Sequence, residues 1–192
     1  MPNSSETAGT APPGAVGRVL VRRRRIAARL DELAAEIAAA YPSGELTMLV
    51  VLDGAMVFAS ELVRRLALRL RLESAWVRSY PCGSRRSAGP KLRMPLDGDF
   101  AGRDVLIVDD ILDSGRTLRA LREAVAARGA ASVRTCVLFR KRRGDLPGRR
   151  EADFHGLDVP DVFVVGFGLD CDGLWRDLPD LHELARGGGE GR

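Results

Sequence analysis

The sequence predicts an α/β domain built on a central, mainly parallel sheet flanked by helices. The continuous apolar runs ELTMLVVL (45–52) and DVLIVDD (104–110) are typical of strands that are buried on both faces. Each run precedes a segment whose apolar residues recur at helical spacing, and further strand-like runs follow. This alternation of strands and helices favours parallel strands that are joined by crossover helices.

The composition indicates one globular domain. The chain has 192 residues, 45% of them hydrophobic and 29% charged, which suits a single sizeable core. It contains no apolar run of about 18 residues, so no membrane span is predicted. We expect the folded domain at 18–184, between a disordered N-terminal tail at 1–17 and a flexible, Gly-rich tail at 185–192.

Location and partners are predicted from the termini, the cysteines and the charge. The first residues lack the basic start and apolar stretch of a secretory signal, and the three cysteines form no CxxC pair. We therefore expect a cytoplasmic protein with reduced thiols. The net charge of +4 and the pI of about 9.4 would suit nucleic-acid binding. For the arginine run at 22–25 we favour a solvated helix face, without a nucleic-acid partner.

The first half of the chain contains two predicted helices and two predicted strands. The first helix lies within 18–41, and its apolar residues have helical spacing: Ile26, Leu30, Leu33 and Ile37. The strand at 45–52 leads into a predicted helix at 55–70 and a strand at 74–80. Residues 81–103 are rich in Gly, Pro, Ser and charge, which predicts a long mobile loop that could contain short strands.

The second half continues the same alternation. A strand at 104–110 is followed by a predicted helix at 115–129, which Gly129 should end. Its inward-facing residues are predicted from their spacing: Leu118, Leu121 and Val125. Two further strands are predicted at 132–139 and 161–168.

Two carboxylates end the strand at 104–110, and a third lies where the next helix begins. They are Asp109, Asp110 and Asp113. In open parallel sheets, ligands bind beyond the carboxyl ends of the strands. Carboxylates at this place could hold sugar hydroxyls or a magnesium-bound group.

The turn DSGRT (113–117) has the character of a phosphate site. Its backbone N–H groups, with the hydroxyls of Ser114 and Thr117, could hold a phosphate at the positive end of the helix. Gly115 lets the backbone come close to such a ligand. Together with the carboxylates, this turn suits a sugar phosphate. The plain structural alternative is that Asp113 is only the helix N-cap.

Five segments resemble a known family. VLIVDDILDSGRTL (105–118) resembles the phosphoribosyl-pyrophosphate (PRPP) motif of the type I phosphoribosyltransferases. Four others resemble the hypoxanthine-guanine group of that family, in its order and spacing. They are VVLDGAMVFASEL (50–62), RSY (78–80), CVLFRK (136–141) and PDVFVVGFGLDCDGLWRDLPDL (160–181). The resemblance extends over about residues 18–184.

This resemblance implies a fold, a reaction and a cofactor. The type I phosphoribosyltransferase fold adds a small hood and a flexible active-site loop to the central sheet. The implied reaction transfers the phosphoribosyl group from PRPP to N9 of hypoxanthine, guanine or both, and releases pyrophosphate. The products would be IMP and GMP, in purine salvage. Mg²⁺ is the implied cofactor, and a homodimer or homotetramer is the implied assembly.

The resemblance also assigns roles around the ribose phosphate. Asp109 and Asp110 would hold the ribose hydroxyls, directly or through Mg²⁺. Asp113 would be the general acid/base near purine N7. The 5-phosphate would be bound by the turn that starts at Asp113 and continues through Ser114, Gly115, Arg116 and Thr117.

Base recognition and metal binding are assigned in the same way. Lys141 would donate a hydrogen bond to the 6-oxo group, Phe163 would stack on the ring, and Val164 would offer backbone contacts. Asp170 would border the purine site and ligate Mg²⁺ near the pyrophosphate, with Asp109 as the other metal ligand. The arginines that flank Lys141 are expected to matter less.

The pyrophosphate would be held by the loop after the strand at 45–52 and by two more distant segments. The implied residues are Leu52, Asp53, Gly54, Ser79, Tyr80 and Arg176. Asp53 departs from the family, because an acid would face an anion where basic or small residues are common. Pro81 also departs, and it should stiffen the hinge of the active-site loop. Tyrosines are usual where this chain has Phe167 and Cys171.

Two other functions remain open at this point. One is a non-catalytic regulator with the same fold that binds nucleic acid, which the basic pI favours and the purine-binding residues disfavour. The other is a salvage enzyme that prefers xanthine. An adenine enzyme is disfavoured, because adenine presents an amino donor where Lys141 also donates.

Overall fold

Five parallel strands form the centre of the computed structural model, which describes residues 15–78, 91–92, 96, 98–143 and 151–185. The strands are β1 (Ala15–Val21), β2 (Glu45–Leu52), β3 (Arg69–Arg78), β4 (Lys91–Leu92), β5 (Asp104–Leu112), β6 (Ser132–Lys141), β7 (Phe154–Val159), β8 (Val164–Val165) and β9 (Leu181–Ala185). The helices are α1 (Arg23–Ala40), α2 (Met56–Val63) and α3 (Arg116–Ala126).

The main sheet has the order β4-β3-β2-β5-β6-β7. Neighbours pair in parallel from β3 to β7, and only β4 runs antiparallel to its neighbour β3. Since β2, β5 and β6 are adjacent, their carboxyl ends lie side by side at one edge of the sheet. The predicted α/β class with a central, mainly parallel sheet is confirmed.

Helices cover both faces of this sheet. On one face, α1 and α2 pack against Met48, Leu106 and Leu138, and on the other face α3 packs against Leu49 and Ile107. The predicted inward residues of α1 and α3 are buried: Ile26, Leu30, Leu33, Ile37, Leu118, Leu121 and Val125. In α2, Phe58 and Leu62 are buried as well. None of the described helices is long and apolar enough to cross a membrane.

A second sheet is built from the two ends of the described chain. It has the order β1-β9-β8, and its strands are antiparallel. The register places Ala15 opposite Ala185 and Val164 opposite Glu183. This small sheet is the hood that the resemblance implied. Its first strand includes residues 15–17, which the sequence had assigned to the tail.

The structure differs from the predicted elements at three places. The predicted helix at 55–70 is wrong beyond Val63, because residues from Arg69 onward pair with β2 over its whole length. The predicted strand at 161–168 is reduced to β8, since Gly166 and Gly168 adopt positive φ angles and turn the chain. Strand β7 was not predicted, because its sequence FHGLDV lacks a long apolar run.

The prediction that all the cysteines are reduced thiols is wrong for Cys171. Cys136 is a free and fully buried thiol in the main core. Burial in apolar surroundings raises the pKa of this thiol far above its usual range. Cys171, which is also buried, is disulfide-bonded.

Candidate active site

The predicted site residues converge at the carboxyl edge of the main sheet. Gly54 follows β2, Asp109 and Asp110 lie near the end of β5, and Lys141 ends β6. These three strands are adjacent, so side chains from distant parts of the sequence meet there. This is the edge at which open parallel sheets bind ligands.

Asp109 and Asp110 form a pair of neighbouring carboxylates. Asp109 is buried, and its Oδ1 accepts a hydrogen bond of 3.0 Å from the backbone N–H of Asp110. Burial, followed by the charge of Asp110, raises the pKa of Asp109 well above its ordinary value. Burial also raises the pKa of Asp110. The pair therefore favours a bound cation or hydrogen-bond donor that would compensate its charge.

The turn after β5 does not use a side chain to cap α3. The N-cap residue is Gly115, in the left-handed conformation with φ of 72°. The alternative that Asp113 is merely the N-cap is therefore wrong. Ser114 and Arg116 are exposed, and Thr117 is half-buried at the start of the helix. This arrangement leaves the helix start suitable for an anion.

Asp113 and Lys141 meet across the ends of β5 and β6. Nζ of Lys141 lies 3.0 Å from Oδ2 of Asp113, and the lysine is buried. The predicted purine donor and the predicted acid/base are thus in direct contact. A base that touched one of them would also lie within reach of the other.

Two further charged residues, Arg143 and Asp161, join this contact, and neither was predicted from the sequence as a site residue. Nη1 of Arg143 lies 2.6 Å from Oδ1 of Asp113, and its Nε lies 2.8 Å from Oδ1 of Asp161. Arg143 therefore contacts the predicted acid/base directly, and the expectation that the arginines flanking Lys141 matter less for activity stays a prediction. Its spacing of two from Lys141 was the available signal, because extended chain places such residues on one face.

The segment after β8 forms a hairpin that carries Asp170 and Arg176. Nη1 of Arg176 donates to the carbonyl oxygen of Gly168 at 2.7 Å, and Nη2 lies 2.9 Å from Oδ1 of Asp170. The other carboxylate oxygen of Asp170 accepts from the N–H of Gly173 at 2.7 Å. The charge of Arg176 lowers the pKa of Asp110 and that of Asp170 raises it, although burial has the largest effect. The hairpin therefore lies beside the carboxylate pair.

Gly54 is enclosed between that hairpin and the carboxylate pair. A Cβ on residue 54 would lie 1.9 Å from Oδ2 of Asp110. A Cβ on Gly168 would lie 2.5 Å from the carbonyl oxygen of Gly54. Three segments of the site thus meet here. They lie so close together that only glycine fits at positions 54 and 168.

The other residues assigned to the pyrophosphate lie around this contact or outside the described chain. Leu52 is half-buried at the end of β2, and it precedes Asp53 through a cis peptide bond. The Asp53 residue is exposed. Ser79 and Tyr80 lie outside the described residues, as does Pro81.

The two remaining purine-site residues lie in and beside the hood. Val164 is buried in β8, where it pairs with Glu183. Phe163 is half-buried and packs against the small cluster formed by Val165, Cys171 and Leu184. Its carbonyl oxygen accepts a hydrogen bond from the N–H of Leu184.

The donor set suits Mg²⁺ that is shared with a phosphorylated substrate. Among the described residues, no group of three or more His, Cys, Asp or Glu side chains is placed to hold a metal ion alone. Mg²⁺ is commonly held by one or two carboxylates together with substrate phosphates and water. Asp109 and Asp170 can provide such carboxylates. Burial and the charge of Asp110 raise the pKa of Asp109 because they destabilise its charged form, and a bound cation would offset this.

Comparisons with known proteins agree with this geometry. The family described as the phosphoribosyl transferase domain matches residues 20–172. The hypoxanthine-guanine phosphoribosyltransferase of Mycobacterium avium is 39% identical over 179 residues, which cover 90% of this chain and 87% of the relative. That of Streptococcus thermophilus is 35% identical over 169 residues, covering 88% and 93% of the two chains.

Solved structures give the same result. The crystal structure of a hypoxanthine-guanine phosphoribosyltransferase from Bacillus anthracis has a TM-score of 0.78 and 28% identity, and the match covers 89% of this chain and 100% of that one. The hypoxanthine phosphoribosyltransferase of Trypanosoma cruzi has a TM-score of 0.77 and 31% identity, with 90% and 98% covered.

The fold and the site therefore define a phosphoribosyltransferase, and the chain belongs to that family. Within the family it groups with the hypoxanthine-guanine phosphoribosyltransferases. The type I fold implied by the sequence motifs is confirmed. The comparisons give no support to the nucleic-acid-binding regulator.

Proposed function

We propose that the protein is a purine salvage enzyme that transfers the phosphoribosyl group of PRPP to N9 of hypoxanthine, guanine or both. The products are IMP or GMP and pyrophosphate. The observation that carries the proposal is the contact of 3.0 Å between Lys141 and Asp113. It joins a hydrogen-bond donor to a carboxylate at the edge of the sheet where the family binds its substrates.

This contact matches one edge of a 6-oxopurine. The 6-oxo group and N7 lie side by side on that edge. In the free base that carries its imidazole proton on N7, the oxygen is an acceptor and N7–H is a donor. Lys141 donates to the 6-oxo oxygen, while Asp113 lies near N7 and takes the proton that leaves the ring. N9 then forms its bond to C1 of the ribose as the bond from C1 to pyrophosphate breaks. Adenine has an amino group at position 6 and fits this pair poorly.

Charge stabilisation accounts for the other acidic residues. Positive charge develops on the ribose in an oxocarbenium-like transition state, and the carboxylates of Asp109 and Asp110 stabilise it from the end of β5. The 5-phosphate binds at the start of α3, in the turn 113–117. Both positions are fixed by strand β5, so the two ends of the ribose phosphate are held by one rigid element.

The pyrophosphate binds between the loop after β2 and the hairpin after β8. Backbone N–H groups near Gly54 contact it, and Arg176 approaches it from the hairpin. Asp109 and Asp170 would hold Mg²⁺ together with substrate oxygens, and the bound ion would supply positive charge to the leaving group. Phe163 and Val164 form the far wall of the purine site. Ser79 and Tyr80 are assigned here to the closure over the pyrophosphate.

The assembly and location predicted from the sequence stay part of this proposal. We propose a homodimer or homotetramer in the cytoplasm. Met56 and Leu72 are exposed, with more than half of each surface accessible, at 54% and 57%. Because single exposed apolar residues are common on protein surfaces, the proposed assembly rests on the family resemblance.

A turnover assay tests the function. Purified protein with PRPP and Mg²⁺ is given hypoxanthine, guanine, xanthine or adenine separately, and nucleotide formation is followed. We expect turnover with hypoxanthine, guanine or both, and none with adenine. Asp113→Asn protein serves as the control for contaminating enzyme. Failure with hypoxanthine and guanine at high enzyme concentration would contradict the proposal, and turnover with xanthine alone would redirect it to xanthine salvage.

A further inference from the structure

Four charged side chains alternate in sign beside the purine site. They are Asp113, Lys141, Asp161 and Arg143. Only Asp113 and Lys141 have a role in the reaction as described. We propose that Arg143, fixed by Asp161, is a positioning residue that holds the carboxylate of Asp113 when Lys141 turns to the purine base. This inference rests on the proposed function.

The two cations contact different oxygens of Asp113. Lys141 contacts Oδ2 at 3.0 Å, whereas Nη1 of Arg143 is 2.6 Å from Oδ1. Among the described residues, Oδ1 of Asp113 has no hydrogen-bond partner, so its contact with Arg143 is described as an ion pair. Each oxygen of the carboxylate therefore has its own cation. Loss of one cation leaves the other in place.

Binding of the base affects the two contacts of Asp113 differently. When Lys141 donates to the 6-oxo group, its ammonium moves toward the base and its contact with Oδ2 weakens. That oxygen then becomes available for the N7 proton. A carboxylate held by Lys141 alone would be free to rotate at this step. The second contact, from Arg143 to Oδ1, keeps the accepting oxygen directed at the ring.

Asp161 gives Arg143 a fixed orientation. Nε of Arg143 lies 2.8 Å from Oδ1 of Asp161, while Nη1 contacts Asp113. A planar guanidinium can contact two carboxylates at once through separate nitrogens, and a lysine ammonium cannot copy that geometry. Asp161 also stands two residues before Phe163. Arg143 thus links the acid/base to the segment that forms the wall of the purine site.

The neighbouring arginine shows that this arrangement is particular to one residue. Arg142 is exposed, and its Nε lies 3.7 Å from Oδ2 of Asp158, a carboxylate that also pairs with Arg140. Arg142 and Arg143 are adjacent and carry the same charge. A comparison of their variants therefore separates the specific contact from the general positive charge of the strand end.

The test measures steady-state kinetics of the full chain with hypoxanthine and PRPP. The wild type, Arg143→Ala, Arg143→Lys and the control Arg142→Ala are compared, together with their thermal unfolding midpoints. Because small misplacements of reacting groups can cost about 100-fold, we expect Arg143→Ala to lower kcat by about 10- to 100-fold. The KM for hypoxanthine should change by less than about 3-fold, since Lys141 still binds the base. Arg143→Lys should recover part of kcat, and Arg142→Ala should match the wild type.

A double variant tests the role of Asp161. If Asp161 acts only through Arg143, Asp161→Asn lowers kcat in the wild type but has no further effect in Arg143→Ala. The inference is overturned if Arg143→Ala keeps wild-type kcat, or if Arg142→Ala loses as much. It is also overturned if KM rises while kcat is unchanged, because Arg143 would then serve binding. Each of these results requires an active wild type, whereas an inactive wild type contradicts the proposed function itself.

Discussion

The backbone of Gly54 lies directly against the carboxylate of Asp110, so a Cβ on residue 54 would be 1.9 Å from Oδ2. This contact joins the loop assigned to the pyrophosphate to a carboxylate assigned to the ribose. In the proposed binding mode, the two groups that PRPP carries on neighbouring atoms would therefore be bound by protein segments that also touch each other. Their relative position does not depend on the substrate.

Replacing Gly54 with Ala should displace either the loop or the carboxylate. We expect kcat/KM for PRPP to fall at least about 10-fold, because reacting groups lose their alignment. Overpacking should also lower the free energy of unfolding by about 1–3 kcal/mol. The control is Gly54→Ala in an Asp110→Ala background, where the colliding oxygen is absent. An equal loss of stability in both backgrounds would contradict the contact as the cause.

The prediction for Asp113 separates its chemistry from its contacts. Asp113→Asn keeps the size of the side chain but removes the group that takes the ring proton. We expect kcat to fall by about 100-fold or more, within the range of general acid–base catalysis. PRPP affinity, measured by calorimetry, should change little, since Asp109, Asp110 and the start of α3 remain. A parallel loss of PRPP binding and of folded structure would indicate a structural role instead.

The prediction for Lys141 concerns base recognition. Lys141→Met removes the donor and keeps an unbranched chain, whereas Lys141→Gln retains a neutral amide donor. A hydrogen bond to a charged group contributes about 1.5–3 kcal/mol. We therefore expect Lys141→Met to lose about 10- to 200-fold in kcat/KM for hypoxanthine and guanine, with Lys141→Gln between it and the wild type. PRPP affinity should be almost unchanged.

The matched control for Lys141 is Arg142→Ala. Arg142 follows Lys141 in the chain, and among the described residues its side chain forms one ion pair, of 3.7 Å, with Asp158 at the surface. Its variant should keep near wild-type kcat/KM for both bases. Equal impairment of the two variants would mean that the strand end acts as a general positive patch.

The buried carboxylate pair predicts a pH-dependent change in stability. The pKa of Asp109 in the folded state is raised well above its ordinary value of 3.8 by burial and by the charge of Asp110. The stability that this group contributes is present below pH 3.8 and is lost as the pH rises through the folded-state pKa. Asn at position 109 stays neutral throughout, and its Oδ1 can still accept from Asp110. We expect the free energy of unfolding of Asp109→Asn, relative to wild type, to increase with pH.

Urea unfolding between about pH 4 and pH 8 without Mg²⁺ measures this difference. Asp177→Asn, which removes one exposed carboxylate from the C-terminal segment, is the control for removing negative charge at the surface. If the free energy of unfolding of Asp109→Asn relative to the wild type does not change with pH, the charge of the carboxylate pair does not destabilise the fold. We also expect Asp109→Asn to lose activity, because its contact with the ribose is weakened.

Elements with local signals were predicted well from the sequence. The apolar run at 45–52 matches the bounds of β2, and the carboxylates of β5 lie at the carboxyl edge of the sheet as expected. These features depend on periodicity and on the ends of strands, which neighbouring residues determine. The contact between Asp113 and Lys141 also follows from β5 and β6 being adjacent in the sheet.

Features that depend on distant pairing were missed or misplaced. Strand β1 was assigned to the tail and the first helix, because its partner β9 lies about 165 residues away and provides no local signal. The ion pairs of Arg143 join three separate segments, so no single stretch of sequence contains them. The helix predicted over 55–70 is wrong beyond Val63 for a similar reason, because pairing of the following strand with β2 outweighs the local helical spacing.

The register that places Ala15 opposite Ala185 has a consequence for biosynthesis. A chain emerging from the ribosome has all five central parallel strands once residue 159 is free, and these can pair early. Strand β1 must wait for β9, and the hairpin with Asp170 and Arg176 lies just before β9 in the sequence. With the proposed site assignments, the ribose-phosphate side of the pocket would form before its pyrophosphate and purine walls, and a nascent chain would gain full affinity for PRPP only after residue 185 has been made.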